Sequence, residues 1–224
     1  MQASNIRFPL LLLILTLISC VAIITDPDLT EAIRWYTGEA GRVDDVKARN
    51  LLERAAADGD ALSVMWMARV YSTGRMTFAA DKPRAIEIAD TVIDEVERLA
   101  NAGVGEANFL MGTAYAEGIG KPLDPVAAVA WYRKAAALEN TLAQHNIGNV
   151  YASGTGVVQS DAEAINWWLI AAEKGDAIPQ LRLGEMYEQG RGVNRDLEQA
   201  IYWYRESANR GNTNARQALI RLQR

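Results

Sequence analysis

Residues 141–176 read TLAQHNIGNVYASGTGVVQSDAEAINWWLIAAEKGD, and the same pattern stands directly before and after them. Gly112, Gly148 and Gly184 are 36 residues apart, as are Tyr115, Tyr151 and Tyr187. The register continues through Gly118/Gly154/Gly190, Gly120/Gly156/Gly192, Ala128/Ala164/Ala200 and Trp131/Trp167/Trp203. Tyr132/Trp168/Tyr204 and Ala136/Ala172/Ala208 complete eight gapless columns. A fixed period of this length is the mark of a repeat array, in which each unit is one supersecondary element that buries its apolar face on its neighbours.

Each unit divides into two helices. In the first, Ala107, Met111, Gly112 and Tyr115 recur at helical spacing and Gly118 stands where a left-handed C-terminal cap belongs. The second begins at a constant column, Asp44, Asp81, Asp124, Ser160 and Asp196, all residues that accept a hydrogen bond from the first helical turn. Asp124 is followed by Pro125 at the first helical position, and Ser160 with Glu163 has the spacing of a capping box. Ala128, Trp131, Tyr132, Ala135 and Ala136 then form a stripe on one face. A glycine inside a helix costs about 1 kcal/mol against alanine, so the Gly112 column predicts a site where another helix comes too close for a side chain.

Working outward, Ala68, Tyr71, Gly74, Asp81 and Ala85 mark a second unit that is seven residues too long before Gly103. Seven residues are about two helical turns, which predicts one lengthened helix over 81–102 with its apolar face unchanged. Ala32, Trp35, Gly38, Asp44, Ala48, Ala55 and Gly59 mark a degenerate first unit. Residues 213–224 match only a first helix and read as a polar cap. The expected fold is all-α, an α/α superhelical solenoid of about five helix-turn-helix repeats and a C-terminal capping helix. Its units fall near 28–60, 61–103, 105–140, 141–176 and 177–212.

This consensus, Ala-x-x-x-hydrophobic-Gly-x-x-Tyr-x-x-Gly-x-Gly, then an N-cap, Ala-x-x-Trp-(Tyr/Trp)-x-x-Ala-Ala and a closing Gly, resembles the Sel1-like repeats, relatives of the tetratricopeptide repeat. The resemblance spans about residues 28–224, with Met76 in place of the second turn glycine in unit two and Glu139 in place of the closing glycine in unit three. It implies an adaptor for protein partners and names none. Some cysteine-rich members have been linked to β-lactam binding. The paired cysteines are missing here, so that activity is not implied.

The N-terminus reads as an address. Arg7 precedes an uncharged run from Phe8 to Ile24, the layout of a secretory signal. Within it Leu17-Ile18-Ser19-Cys20 resembles the lipobox of bacterial lipoproteins, and Cys20 is the one cysteine of the chain. The expectation is a signal over 1–19, a lipidated Cys20 with a tether to residue 27, and a body in the cell envelope. By resemblance to lipoprotein sorting, Val21 favours the outer membrane facing the periplasm. An uncleaved inner-membrane signal anchor is the alternative, since 17 residues lie at the short edge of what spans a bilayer.

Chemistry is sparse. A net charge of −5 offers no basic surface for nucleic acid, and one histidine cannot make a His-cluster metal site. Neither cofactor nor metal is expected. There is no Gly-x-Ser-x-Gly, Ser-x-x-Lys, His-Glu-x-x-His or phosphate loop. His145 would be the sole base of a hydrolase, the less favoured reading; no enzyme is the expectation. Four tryptophans (Trp35, Trp131, Trp167, Trp203) lie in repeat columns and read as core, whereas Trp66 and Trp168 could reach the surface as a sugar platform. The alternative to a protein adaptor is a glycan- or cell-wall-associated module of a polysaccharide or envelope machinery, where related repeat lipoproteins occur. Stepping the free face of the first helices by the repeat predicts a partner groove lined by Met65, Arg69, Phe109, Thr113, His145, Asn149, Leu181, Glu185 and Glu188. The rival surface is the acidic strip Asp90, Asp94, Glu95 and Glu97 on the lengthened helix.

Overall fold

The computed structural model describes residues 25–222. They form twelve helices, and no strand occurs among them. Unit one pairs α1 (Pro27–Thr37) with α2 (Asp45–Ala57), and unit two pairs α3 (Ala61–Thr73) with α4 (Lys82–Asp90) and α5 (Ile93–Asn101). Units three to five follow as α6 (Gly105–Glu117) with α7 (Pro125–Ala137), α8 (Thr141–Ser153) with α9 (Asp161–Glu173), and α10 (Ala177–Gln189) with α11 (Leu197–Asn209). The cap is α12 (Thr213–Leu222). The all-α superhelical solenoid expected from the sequence is what forms.

The caps sit where the spacing put them. Asp44, Asp81, Asp124, Ser160 and Asp196 each accept a hydrogen bond from the first turn of their helix. The capping box is only half made. Ser160 Oγ takes the Glu163 N–H at 3.2 Å, but the Ser160 N–H donates to the Tyr151 carbonyl at 2.9 Å. The equivalent bond recurs in every unit, from Asp44 to Trp35, Asp81 to Tyr71, Asp124 to Tyr115 and Asp196 to Tyr187. The aromatic column thus marks the carbonyl that staples each turn, leaving the N3 side chain nothing to cap.

The glycine column is explained by contact. A Cβ on Gly112 would lie 2.4 Å from the Tyr132 ring, one on Gly148 2.4 Å from Trp168, and one on Gly184 2.5 Å from Tyr204. Each small residue therefore faces the second aromatic of its own unit. That second aromatic is the buried one: Tyr132, Trp168 and Tyr204 are in the core, whereas Trp131 and Trp167 are half-buried at its edge and Trp203 alone of its column is buried; Trp35, in the column of Tyr115, is half-buried. Three positions outside glycine carry left-handed backbone: Met76 (φ 51°), which fills the missing turn glycine and buries its side chain, Thr77 (φ 64°) beside it, and Glu139 (φ 61°), which replaces the closing glycine.

The lengthened helix does not form as one rod. It breaks between Asp90 and Ile93, where Thr91 Oγ1 donates to the Ile88 carbonyl at 2.7 Å. The β-branched run Thr91-Val92-Ile93 is a poor helix interior. Breaking there lets α5 bury Ile93, Val96, Leu99 and Ala100 as it packs beside α3 and α6.

The array also closes on itself. The Val43 N–H donates to the Arg210 carbonyl at 2.7 Å, and Arg210 Nη1 donates to the Gly38 carbonyl at 2.9 Å. Units one and five are thereby joined across the superhelix, and α1 lies over its concave side.

Candidate functional site

The concave face is built from the first helices, and the closure divides it. In units two and three the expected groove residues are interior: Met65 and Phe109 are 0 % exposed, and Arg69 and Thr113 are buried with them. The prediction of an open groove here fails because Tyr36 of α1 sits edge-on to Trp66 at 6.2 Å between ring centroids, covering the surface. Trp66 is likewise buried rather than exposed, and so is Trp168, whose ring lies over Gly148. Trp66 offers no surface to a sugar, and Trp168, though buried, lines the cleft between units four and five.

Under this cover the sequence missed a polar cluster. Trp66 Nε1 donates to Glu106 Oε1 at 2.6 Å, and Asn140 Nδ2 donates to Glu106 Oε2 at 2.8 Å. Burial holds the Glu106 carboxyl above the ordinary carboxylate range against both bonds, and burial does the same to Glu39. The Arg69 guanidinium lies 4.4 Å from the Trp66 centroid and 5.2 Å from that of Phe109. Its Nε and Nη1 find no hydrogen-bond partner. Nearby, Arg75 pairs with Glu117 at 2.9 Å. The signal was present in the off-register Trp66 and in Glu106 on a face otherwise read as free.

A carboxyl whose folded pKa is raised binds its proton more tightly in the folded state. Stability therefore rises as the pH falls from neutral through the raised value toward the unfolded value of about 4.3, and is lost again as pH rises. Glu106→Gln removes the titrating group but turns an amide NH2 toward Trp66 Nε1 or Asn140 Nδ2, both donors, so it is expected to lose one hydrogen bond at neutral pH and to flatten this part of the profile. Urea melts between pH 5 and pH 8 read the slope; a variant that keeps the wild-type pH dependence contradicts the assignment.

In units four and five the face is open. A cleft of about 340 Å³ is lined by Asn149, Trp168, Glu185, Met186, Gln189 and Arg191 among others. Asn149 Oδ1 accepts from Trp168 Nε1 at 3.2 Å, which aims the amide along the cleft. Glu185 pairs with Arg182 at 2.8 Å. Glu188 accepts from Tyr204 at 2.6 Å and from Arg221 at 2.5 Å, and Arg221 holds its carboxyl below the usual range. Burial and the adjoining Glu188 push the Tyr204 phenol up, so it stays a donor. Leu181 is buried beneath this end, so of the expected apolar sockets none is open.

His145 is set apart. Its Nδ1 lies 2.9 Å from Asp176 Oδ2, and Asp176 also caps α10 through the Ile178 N–H at 3.0 Å. The pair lines a cleft of about 360 Å³ with Tyr36, Val43 and Asp45 of unit one. No serine or cysteine lines it; its hydroxyl side chains are Tyr36, Thr213 and Thr37, the last donating to the Ile33 carbonyl at 3.1 Å. A nucleophile activated by His145 is not assembled there. The acidic strip is solvated: Glu95 pairs with Arg98, Glu97 reaches Lys121 at 2.8 Å, and Asp90 and Asp94 are exposed. Among the described residues no group of three or more His, Cys, Asp or Glu is placed to hold a metal. No described helix is long and apolar enough to cross a membrane. Cys20 and the 1–19 signal lie outside the described residues.

The Sel1 repeat family matches residues 23–37, 36–60, 105–140, 141–176 and 180–212. The chain belongs to the Sel1 repeat family. Unit two, with its broken second helix, falls between the matched segments. Among solved structures, a protective antigen of uropathogenic Escherichia coli with the same repeat fold is 28% identical over 86% of this chain, with a TM-score of 0.56. A Sel1 repeat protein of Oxalobacter formigenes is 28% identical over 84% of this chain and 74% of its own, with a TM-score of 0.53. The chain spans 39% of the Escherichia coli protein. No curated protein matches it significantly. As a Sel1 repeat protein it is a helical scaffold of a class that works through protein–protein contacts.

Proposed function

We propose that this Sel1 repeat protein is a lipid-anchored adaptor of the cell envelope that binds another envelope protein through units four and five. It chemically transforms nothing in this reading. The observation that carries it is the open rear half of the concave face, where Asn149, Glu185, Gln189 and Glu188 present hydrogen-bonding groups around a cleft while the front half is filled. Such a surface suits an extended or helical peptide segment that offers backbone amides and polar side chains. Leu17-Ile18-Ser19-Cys20 supports the anchor, and Val21 supports the outer membrane, facing the periplasm.

Two measurements test this. Labelled fatty acid should enter the wild type and not Cys20→Ser, which should keep residues 1–19; an unlabelled wild type that keeps them is a signal-anchored inner-membrane protein. Glu185→Lys and Gln189→Ala should each lower recovery of the crosslinked partner at least several-fold with a nearly unchanged melting temperature, since Gln189 is exposed and Glu185 half-exposed and neither supports the core. Normal recovery in both variants contradicts the groove assignment.

A further inference from the structure

We propose that unit one is a releasable latch: its turn from Gly38 to Val43 locks onto the Arg210 corner of unit five and so keeps the front of the concave face covered. This concerns regulation of the face assigned above, and it rests on that reading only for what an opened surface would bind.

The seam differs from every other junction in the array. Neighbouring units meet through a continuous apolar core, in which Leu29, Leu52, Met65, Trp66, Phe109 and Leu110 belong to one cluster. Unit one meets unit five through two main-chain carbonyls, the Arg210 carbonyl that accepts from Val43 and the Gly38 carbonyl that accepts from Arg210, with Gly38 seated against Ala177 and the Arg210 Cβ. A cleft of about 360 Å³ lies along the seam, and a second of about 330 Å³ separates unit one from units three and four. A thin, largely polar contact beside a cleft separates at far lower cost than packed apolar surface, which makes relative motion the default.

The latch is specific to one side chain. Arg210 lies so close over Gly175 that a Cβ there would meet its guanidinium at 2.8 Å. The glycine therefore lets the arginine cross from unit five to unit one. On the far side of unit one, Gly59 (φ 79°) stands between α2 and α3, where a pivot must be.

Closing carries a cost that opening removes. The Arg69 guanidinium is buried with Nε and Nη1 unpartnered, and an unpaired buried charge is among the dearest features a fold can hold. Tyr36 of unit one is one wall of its aromatic enclosure, 5.6 Å away. When unit one, once released at Arg210, also parts from unit two and gives up its share of that apolar cluster, Arg69 gains solvent or a partner's acceptor and Trp66 loses its Tyr36 cover. The latch thus sets whether the recognition face is half its length or whole.

Native-state hydrogen exchange on the full chain tests this. In graded low urea, the wild-type amides of α1 and α2 should exchange through an opening of their own, distinct from that of α8 to α11. Arg210→Ala should speed exchange in α1 and α2 by about tenfold or more, leaving α8, α9 and α10 at wild-type rates. Arg205→Ala, exposed on the same helix, should change neither. A terminal repeat that merely frays would not respond to a residue in unit five. The latch is overturned if α1 and α2 exchange with the rest of the array in one step. It is equally overturned if Arg210→Ala leaves them unchanged or speeds units four and five to the same degree.

Discussion

Gly148→Val will shift the urea midpoint far below that of wild type, at a cost of about 3 kcal/mol or somewhat more. The reason is local and mutual. A Cβ at 148 already falls 2.4 Å from the indole of Trp168, and the ring cannot retreat because it is buried and its Nε1 is held by Asn149. Valine adds two further methyl groups into the same space. The cause is then separable from glycine's own propensity. In a double-mutant cycle, Trp168→Leu should recover part of the loss caused by Gly148→Ala, with a coupling of about 1–2 kcal/mol. Additive effects would mean that the helices are not held apart by this contact.

Trp66→Ala should cost about 3–5 kcal/mol, the range for an aromatic residue deleted from a core. It removes a wholly buried side chain and also strips Glu106 Oε1 of its donor, leaving a half-buried carboxylate oxygen unpaired. Trp66→Phe separates the two losses, because it keeps most of the volume and removes only the indole N–H. Its cost should be about 1–3 kcal/mol, the price of the orphaned acceptor, and should shrink as the pH falls and Glu106 takes up its proton. A Trp66→Phe variant as stable as wild type at neutral pH would show that the Glu106 bond contributes nothing.

What was legible in the sequence is what repeats. The 36-residue register fixed the helix pairs, the caps from Asp44 to Asp196, and the pairing of a tiny column with a large one. Those features recur because each unit solves the same packing problem against the same neighbours, so three copies of one contact appear as three aligned residues. The break after Asp90 was hidden because unit two has no second copy to compare with, and seven added residues are compatible with either a longer rod or two short ones. The choice between the two tryptophan columns also escaped, since residues 131 and 132 sit side by side on a helix and only the position of Gly112 across from Tyr132 decides which points inward.

The site was legible by halves for a related reason. Stepping the free face by the repeat treats each unit as seeing only its neighbours. Asn149, Glu185 and Glu188 do line the open part of the face, whereas Met65, Arg69, Phe109 and Thr113 are buried. There aromatic rings of the same and adjoining units close over the face: Tyr36 against Trp66, Trp66 and Tyr132 against Phe109, and the Tyr132 hydroxyl against Thr113. Arg210 meets Gly38 across 172 residues of sequence, and no column of the repeat records that meeting. Leu181 fails more simply, as an apolar side chain that folds into the core beside Tyr204 and Ala215.

The most direct test places a photo-crosslinking side chain, one position at a time, at Asn149 and Glu185 in the open cleft, at Glu163 and Arg205 on second helices, and at Asp94 on α5. After illumination of intact cells, positions 149 and 185 should each yield an adduct with the same envelope protein, and positions 94, 163 and 205 none. An adduct formed from position 94, 163 or 205 but from neither 149 nor 185 would contradict recognition through the rear half of the concave face.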